Sequence, residues 1–367
     1  MFSYLKLGRY WAKRAGMLLF VLASSCYKSS VPSAPAASVQ EDDFIIAADL
    51  STYPEIERGG LTFYAEDGRA EDFLKILRTS GINTVRLRLW VDPPNGHCGL
   101  EEVQHFAKRL RKMGFRLWLA LHYADTWADP ARQQTPARWQ SLSFTALKDS
   151  VHHYTWQVAE WLKPEFIQLG NEINAGFLHP LGHSAHYPQQ FRQFLSIAAQ
   201  AVRMASPTTK IILHFAGLEN ALEFYASLID VDFDVIGLSY YPIWHGKSLY
   251  KLQTTLAQLS QYKPVVVAET AYPFTLGWND WTTNIVGLPE HLILPDYPAT
   301  PEGQRAFVES IRSVVRRVPK GIGFCYWGGE WVAWKGPTAT DGSPWENQAL
   351  FDFKYRALPA LKAFKEE

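Results

Sequence analysis

Two glutamates follow apolar runs at positions where a hydrophobic core has no use for a carboxylate. Glu172 ends the run "FIQLGNE", which starts at Phe166, and Glu269 ends "PVVVAE", which starts at Pro264. A pair of carboxyl groups can cleave a glycosidic bond when one protonates the departing oxygen and the other, ionised, attacks the anomeric carbon. The structural alternative is that either glutamate only forms an ion pair with Arg86 or Arg88.

Other polar and aromatic side chains stand at, or just beyond, the ends of similar apolar runs. Tryptophan faces can stack on the C–H faces of sugars, and the polar groups can hydrogen-bond to hydroxyls. Any single tryptophan of this set could instead fill a core, and the two histidines could be structural. The candidate substrate-binding residues are Asp49, Arg86, Arg88, Trp90, His122, Tyr123, Asp125, Trp127, Asn171, His214, Tyr240 and Trp327.

One run, "TVRLRLW", shows how such residues would be presented. Side chains alternate between the two faces of a strand, so Thr84, Arg86, Arg88 and Trp90 share a face. Both arginines then point toward the predicted site, and either could make a forked contact with Glu269.

These residues need an architecture that brings the ends of many strands together. Eight near-continuous apolar runs alternate with segments of helical periodicity, a pattern that predicts a single (β/α)8 TIM barrel spanning residues 44–367. The rival is a doubly wound sheet, which usually has a glycine-rich turn after its first strand, and "AADLSTYPE" is not one. The runs start at Phe44, Asn83, Arg116, Glu165, Lys210, Asp234, Pro264 and Gly321.

Composition narrows the range of partners. The chain has 367 residues with 36 basic and 36 acidic side chains and no long charge runs, so nucleic acid is not an expected partner. Its three cysteines lack the spacing of a zinc site, and we predict no metal ligands among the site residues. A disulfide between Cys98 and Cys325 stays open, and we expect a monomer.

The first 43 residues have the composition of an export segment. Basic residues precede the apolar run "MLLFVLA", which is too short for a membrane-spanning helix, so residues 1–25 are predicted to be a signal peptide. The stretch Leu22 to Cys26 resembles a lipoprotein processing box, which predicts a lipid anchor at Cys26, a flexible tether over residues 26–43 and an exported, membrane-tethered protein. An ordinary signal peptide is the alternative.

Several longer motifs carry a family resemblance across residues 44–365. "GINTVRLRLWVDP", "LALHYADTWADP", "QLGNEIN" and "VVVAETAYP" resemble the arabinogalactan endo-β-1,4-galactanases of glycoside hydrolase family 53. The resemblance implies a retaining barrel enzyme that hydrolyses β-1,4-galactan, with Glu172 as general acid/base and Glu269 as nucleophile. It also implies that Asn171 contacts the sugar 2-hydroxyl and that one of the two arginines orients Glu269.

The segment after the seventh run departs from the family pattern. Many bacterial members have a calcium loop there, whereas this chain has "PFTLGWNDWTTNIVG", where Asp280 is the only acid, so we expect no cofactor, with calcium as the open alternative. Trp278, Trp281 and the segment ending at Trp331 could lengthen a sugar cleft, and Glu330 is a third acidic candidate. Two other functions stay open, a barrel hydrolase acting on mannan or glucan and a noncatalytic glycan-binding lipoprotein.

Overall fold

The computed structural model describes residues 44–365, and each of the eight predicted runs forms a strand in it. All neighbouring strands pair in parallel, and the last pairs with the first, so the sheet closes into a barrel in chain order. The TIM barrel prediction is confirmed. The strands are β1 (Ile45–Asp49), β2 (Thr84–Leu89), β3 (Arg116–Leu121), β4 (Phe166–Leu169), β5 (Lys210–Ala216), β6 (Val235–Ser239), β7 (Val265–Thr270) and β8 (Gly321–Tyr326).

Helices connect the strands and pack around the barrel. Helix α3 illustrates why they form, since its buried face repeats at helical spacing through Val103, Phe106 and Leu110. Its first turn is acidic and its last turn basic, which complements the helix dipole. The helices of the described part are α1 (Tyr53–Arg58), α2 (Phe73–Thr79), α3 (Leu100–Lys112), α4 (Phe144–Leu162), α5 (Pro188–Ala205), α6 (Ala221–Ser227), α7 (Pro242–His245), α8 (Leu249–Leu259) and α9 (Pro301–Arg316).

The barrel interior changes character along its axis. Near the amino ends of the strands it is filled by an apolar cluster that includes Ile45, Trp118, Phe166 and Ile212. Toward the carboxyl ends the inward side chains become polar, and Arg86, Gln168, His214 and Ser239 are all fully or almost fully buried. A second, larger apolar core lies between the strands and the helices. The polar end of the interior is therefore where a functional site can form.

Two expectations concern features outside this polar layer. Cys98 and Cys325 are both buried free thiols, so the disulfide left open by the sequence is not formed. Among residues 44–365, no helix is long and apolar enough to cross a membrane. The predicted signal peptide, tether and Cys26 anchor lie outside the described residues and stay predictions.

Candidate active site

The turn after β4 places Glu172 at the barrel mouth. Gly170 has a φ of +77°, and a Cβ atom there would lie 2.4 Å from a methyl carbon of Ile173, so only glycine fits without a shift. Glu172 itself has a φ of +48°, an uncommon conformation for a residue with a side chain. The turn places the Glu172 carboxylate in the wall of an open cleft, which explains why a carboxylate follows a buried strand.

That cleft, of about 500 Å³, is formed by the carboxyl ends of the strands and the loops that follow them. It brings together both predicted catalytic glutamates and most of the predicted substrate-binding residues. The predicted residues that line it are Asp49, Arg86, Arg88, His122, Trp127, Asn171, Glu172, Glu269 and Trp327.

Glu269 is held by two strong donors. Arg86 Nη2 lies 2.8 Å from Glu269 Oε1, and the Tyr241 hydroxyl donates to Oε2 at 3.0 Å. Arg86 also donates to Asp49 Oδ2 at 2.7 Å, a contact that follows from the direct pairing of these two residues between β1 and β2. Between the two arginines that the sequence could not separate, Arg86 is therefore the one that contacts Glu269.

Glu172 has a weaker set of partners. The Ser239 hydroxyl donates to Glu172 Oε1 at 2.6 Å. His214 lies behind that hydroxyl, with Nε2 at 2.9 Å from Ser239 Oγ, while Glu172 N–H points to His214 Nδ1 at 3.4 Å. The neutral imidazole with its proton on Nε2 satisfies this chain of contacts, and burial lowers the pKa of His214 well below its usual value.

These surroundings separate the two carboxyl groups electrostatically. Burial, together with the nearby charge of Glu269, raises the pKa of Glu172 to about 8. Burial also raises the pKa of Glu269, but the Arg86 guanidinium and the Tyr241 hydroxyl act in the opposite direction. With its direct ion pair, Glu269 is the one that carries the charge, and Glu172 retains the proton at neutral pH.

Asn171 joins the two halves of this network. Its Oδ1 accepts from Arg86 Nη2 at 2.8 Å and from Gln168 Nε2 at 3.0 Å, while its Nδ2 donates to the Ala128 carbonyl. The Nδ2 group keeps a second N–H for a ligand in the cleft. His122 also faces the cleft, with Nδ1 accepting from Ala128 N–H, and burial beside Arg88 lowers its pKa well below the usual value.

Five predicted site residues do not line the cleft. Tyr123 is fully buried and shares a hydrogen bond with Thr155, and Tyr240 is fully buried and donates to the Gly246 carbonyl. Alternation explains both, because His122 and Tyr241 point inward while the residue beside each points outward. Asp125 accepts from the backbone N–H groups of Asp92 and Ala137 and so braces loops.

The remaining two are near the cleft without forming its wall. His214 lies beneath Glu172 and Asn171, as described above, with no exposed surface. Trp90 packs behind Arg88, whose guanidinium carbon lies 4.6 Å from the centre of its ring. Both therefore act through a neighbour in this structure rather than by facing the cleft.

Sequence reasoning missed several residues of the site. Gln168 and Ser239 could have been found by extending to β4 and β6 the alternation that located the two arginines in β2. Tyr241 was recognised as a polar strand-end residue, but its neighbour Tyr240 was chosen for the site in its place. The cleft tryptophans Trp244 and Trp345 lie in loops that no periodicity marks, and they stack on each other at 6.2 Å. Trp331 lines the cleft as anticipated, whereas Trp278 and Trp281 are exposed and do not.

The third acidic candidate, Glu330, is buried away from the cleft. Its Oε1 accepts from the Thr52 N–H at 3.0 Å, its Oε2 lacks a partner, and burial raises its pKa to about 8. Glu330 is thus a buried, protonated group that holds the loop after β1.

Buried oxygen atoms in the loops after β7 and β8 are candidate calcium ligands. Asp280, Asn284 and Glu346 are buried, and Asp280 Oδ2, Asn284 Oδ1 and Glu346 Oε2 each lack a hydrogen-bond partner. Two carboxylates and an amide are the donor types that calcium prefers, so these residues fit such an ion better than the isolated Asp280 suggested. Bound there, it would tie the two loops together.

A second group of potential ligands lies after β2. His97, Cys98 and Glu102 come close enough to share a metal ion. However, Glu102 Oε2 already accepts from His97 at 2.8 Å and from the Cys98 N–H, and Arg88 directs its charge at the Cys98 sulfur from 3.2 Å. The contacts favour a hydrogen-bonded cluster over a cation site.

Comparison with known proteins places this site in a family. The model of glycosyl hydrolase family 53 matches residues 45–364, nearly all of the part that the structure describes. The chain belongs to glycosyl hydrolase family 53. It is 35% identical to an arabinogalactan endo-β-1,4-galactanase of Cellvibrio japonicus, over 88% of this chain and 91% of that one. It is 31% identical to an endo-β-1,4-galactanase of Bacillus subtilis, over 88% and 86% of the two chains.

Solved structures agree with the family assignment. The family 53 catalytic domain from Ignisphaera aggregans superposes with a TM-score of 0.83 at 37% identity, covering 91% of this chain and 97% of that one. A fungal β-1,4-galactanase superposes with a TM-score of 0.74 at 29% identity, covering 88% of this chain and 98% of that one. The protein is therefore a glycoside hydrolase, as the paired glutamates indicated.

Proposed function

We propose that this family 53 protein is an endo-acting β-1,4-galactanase that hydrolyses type I arabinogalactan with retention of anomeric configuration. The observation that carries the proposal is one cleft holding two carboxyl groups with unlike partners, Glu269 with Arg86 and Tyr241, and Glu172 with Ser239. The named activities of the Cellvibrio and Bacillus relatives supply the substrate class.

In the first step, ionised Glu269 attacks the anomeric carbon while Glu172 gives its proton to the departing glycosidic oxygen. The Arg86 ion pair and the Tyr241 hydrogen bond fix Glu269 in place and keep it charged. The bond to the leaving oxygen breaks as the bond to Glu269 forms, which gives a covalent glycosyl intermediate.

In the second step, Glu172 takes a proton from a water molecule that attacks the same carbon and releases Glu269. The electrostatics support this change of role, because the charge of Glu269 is one of the causes that raise the pKa of Glu172. Once Glu269 is esterified that charge is gone, so the pKa of Glu172 falls and the group can act as a base.

Reducing-sugar release from a panel of polysaccharides tests the proposal. We expect hydrolysis of unbranched β-1,4-galactan to mixed oligosaccharides, with little release from β-1,4-mannan or β-1,4-glucan. A preference for mannan or glucan would assign another specificity within the same barrel chemistry. Binding of galactan without any product would support the noncatalytic alternative, against which stands the presence of both carboxyl groups.

We further propose that the protein is an exported monomer, tethered to a membrane through lipid on Cys26. The export and the tether rest on the sequence of residues 1–43 alone. Mass spectrometry of the processed protein from membranes would reveal a lipid-modified Cys26, and an unmodified soluble product would contradict the tether.

A further inference from the structure

A cysteine, a histidine and a glutamate form a chain of contacts in the segment after β2. Cys98 Sγ lies 3.4 Å from His97 Nε2, and His97 Nδ1 lies 2.8 Å from Glu102 Oε2. This is the order of groups around an activated nucleophile, in which a carboxylate orients an imidazole and the imidazole faces the sulfur. The proposed hydrolysis uses none of these three residues.

The sulfur of Cys98 also faces a guanidinium. Arg88 Nη2 lies 3.2 Å from it, and Arg88 is a residue only 3% exposed whose Nε lacks a partner. Burial alone would lower the pKa of His97, but its hydrogen bonds to Cys98 and Glu102 raise that pKa to about 9, so the ring is protonated at neutral pH. Two cations beside one sulfur stabilise a thiolate, which is the reactive form of cysteine.

A cavity of about 240 Å³ brings small molecules close to this sulfur. Its wall includes Arg88 and His97, the two side chains that contact Cys98 Sγ. Cys98 itself is only 1% exposed, so its sulfur lies directly behind that wall. The cavity has room for several water-sized molecules. Hydrogen peroxide is hardly larger than water and can reach the sulfur after a small movement of a side chain, whereas a bulky substrate cannot.

Cys325 provides a comparison within the same chain. It is also a buried free thiol, but it belongs to the apolar cluster near the amino ends of the strands. Its sulfur contacts the Tyr326 carbonyl, an acceptor that favours the thiol, and burial raises the pKa of Cys325 well above its usual value. A thiol in such surroundings is unreactive.

Oxidation of Cys98 should affect the cleft through Arg88. The guanidinium carbon of Arg88 lies 3.8 Å from the centre of the Trp127 ring, and both residues line the cleft. The backbone of Cys98 is fixed, since its N–H donates to Glu102 Oε2 at 2.8 Å and its carbonyl accepts from Trp90 N–H at 2.9 Å. An oxygen atom added to the sulfur therefore displaces the Arg88 side chain rather than the loop.

We propose that Cys98 is a redox-sensitive thiol that peroxides oxidise to a sulfenic acid, and that this oxidation lowers glycan turnover by displacing Arg88. The thiolate sulfur attacks one peroxide oxygen, the O–O bond breaks, and the leaving hydroxide takes a proton from His97 to become water. The sulfur loses two electrons and the peroxide gains two. A thiol reductant reverses the step, because a sulfenic acid is still reducible. The reactivity of Cys98 is independent of the proposed function, whereas the effect on turnover rests on it.

Peroxide treatment followed by mass spectrometry tests the site. The full chain is exposed to hydrogen peroxide for increasing times, and catalase stops the reaction. The protein is then unfolded with dimedone, which traps sulfenic acid, and afterwards with N-ethylmaleimide, which traps the remaining thiols. Peptide mapping measures Cys98 and Cys325 separately. Because trapping follows unfolding, both sulfurs are equally open to the reagents, and the comparison reports on the peroxide step alone.

We expect Cys98 to be oxidised at least about tenfold faster than Cys325, because the thiolate reacts and the thiol does not. His97→Gln should slow the oxidation of Cys98 by about tenfold, since it removes the proton donor and one of the two positive charges. His105→Gln, which replaces an exposed histidine of α3, is the matched control and should leave the rate unchanged.

The second measurement is kcat/KM on β-1,4-galactan before and after oxidation. The oxidised wild-type protein should lose activity several-fold and recover it with dithiothreitol. Cys98→Ser, compared with its own untreated sample, should lose none, which separates oxidation of Cys98 from oxidation of other side chains.

Oxidation of Cys98 that is no faster than that of Cys325 overturns the reactive site. Oxidation of Cys98 without loss of turnover overturns its link to the cleft. A wild-type protein that cleaves no galactan overturns the proposed function, while the labelling rates still decide the reactivity of Cys98. If His97→Gln does not fold, the comparison of the two cysteines in the wild-type protein decides alone.

Discussion

At the scale of single residues, the proposed chemistry requires that Glu172 and Glu269, which share one cleft, differ in protonation state. Both are desolvated, so burial alone would raise both pKa values. The difference comes from their partners, since Glu269 has a guanidinium and a phenol while Glu172 has a serine hydroxyl. That asymmetry leads to two predictions about protonation and charge.

The first concerns the pH dependence of kcat/KM on galactan. Glu172 must be protonated to act as the acid, so activity should fall as pH rises through its pKa of about 8. Glu269 must be ionised, so activity should fall on the acid side as it becomes protonated. An aryl galactobioside whose phenolate leaves without a proton should show a much weaker alkaline loss. Equal alkaline losses for the two substrates would contradict the assignment of the acid.

The second concerns the alanine variants. Glu269→Ala should abolish turnover of every substrate, whereas Glu172→Ala should lose about 10²- to 10⁴-fold on galactan and keep measurable reaction with the activated aryl substrate. Azide should rescue the Glu172 variant to a β-glycosyl azide, and should attack the opposite face in the Glu269 variant to give the α-glycosyl azide. The opposite pairing of anomers, read by proton NMR, would reverse the two roles.

At the scale of elements, the segments that follow β7 and β8 contain buried oxygen atoms without hydrogen-bond partners. The loop from β7 to α9 carries Asp280 and Asn284, and the chain after β8 brings Glu346 beside them, where its Oε1 accepts from the N–H groups of Asn279 and Asp280. Unpartnered buried oxygens on both segments are unfavourable unless a donor or cation meets them.

The sequence led us to expect no cofactor; from these unpartnered oxygens we predict instead that calcium, the alternative left open, stabilises this pair of loops. A ligand that binds only the folded state, at about 100 times its dissociation constant, adds about 2.7 kcal/mol to the free energy of unfolding. Calorimetry should show a higher Tm with calcium than with a chelator, and Asp280→Asn should remove the difference. Asp296→Asn, an exposed acid in the same connection, should keep it. An unchanged Tm of the wild-type protein would show that the oxygens hold no calcium.

At the scale of the whole molecule, the barrel determines the stereochemistry through the distance between β4 and β7. Attack by Glu269 requires its carboxyl to lie about 5 to 5.5 Å from that of Glu172, whereas a separation of about 6.5 to 9.5 Å would admit a water molecule and invert the centre.

We predict retention. Proton NMR of the first product released from a β-1,4-galactooligosaccharide should show the β anomer before it equilibrates. An initial α anomer would mean that water, and not Glu269, attacks the sugar.

The sequence by itself determined the eight strands, their order and the positions of Glu172 and Glu269. Each depends on local pattern, since apolar runs define buried strands and a barrel gathers their carboxyl ends at one face. The local pattern did not decide between two adjacent polar residues at the end of a strand. Tyr123 and Tyr240 were predicted to be site residues, but the structure turns their neighbours His122 and Tyr241 toward the cleft.

Only the tertiary structure determined which residues the site side chains contact. Arg86 rather than Arg88 contacts Glu269, which lies on β7, and the register between β1 and β2 sets Asp49 beside Arg86. No single strand's sequence contains either relation. The pairing of Ser239 with Glu172 and the approach of Trp345 to Trp244 join residues 67 and about a hundred positions apart. Such contacts depend on how the barrel closes and how long loops pack over its mouth, which local propensity does not encode.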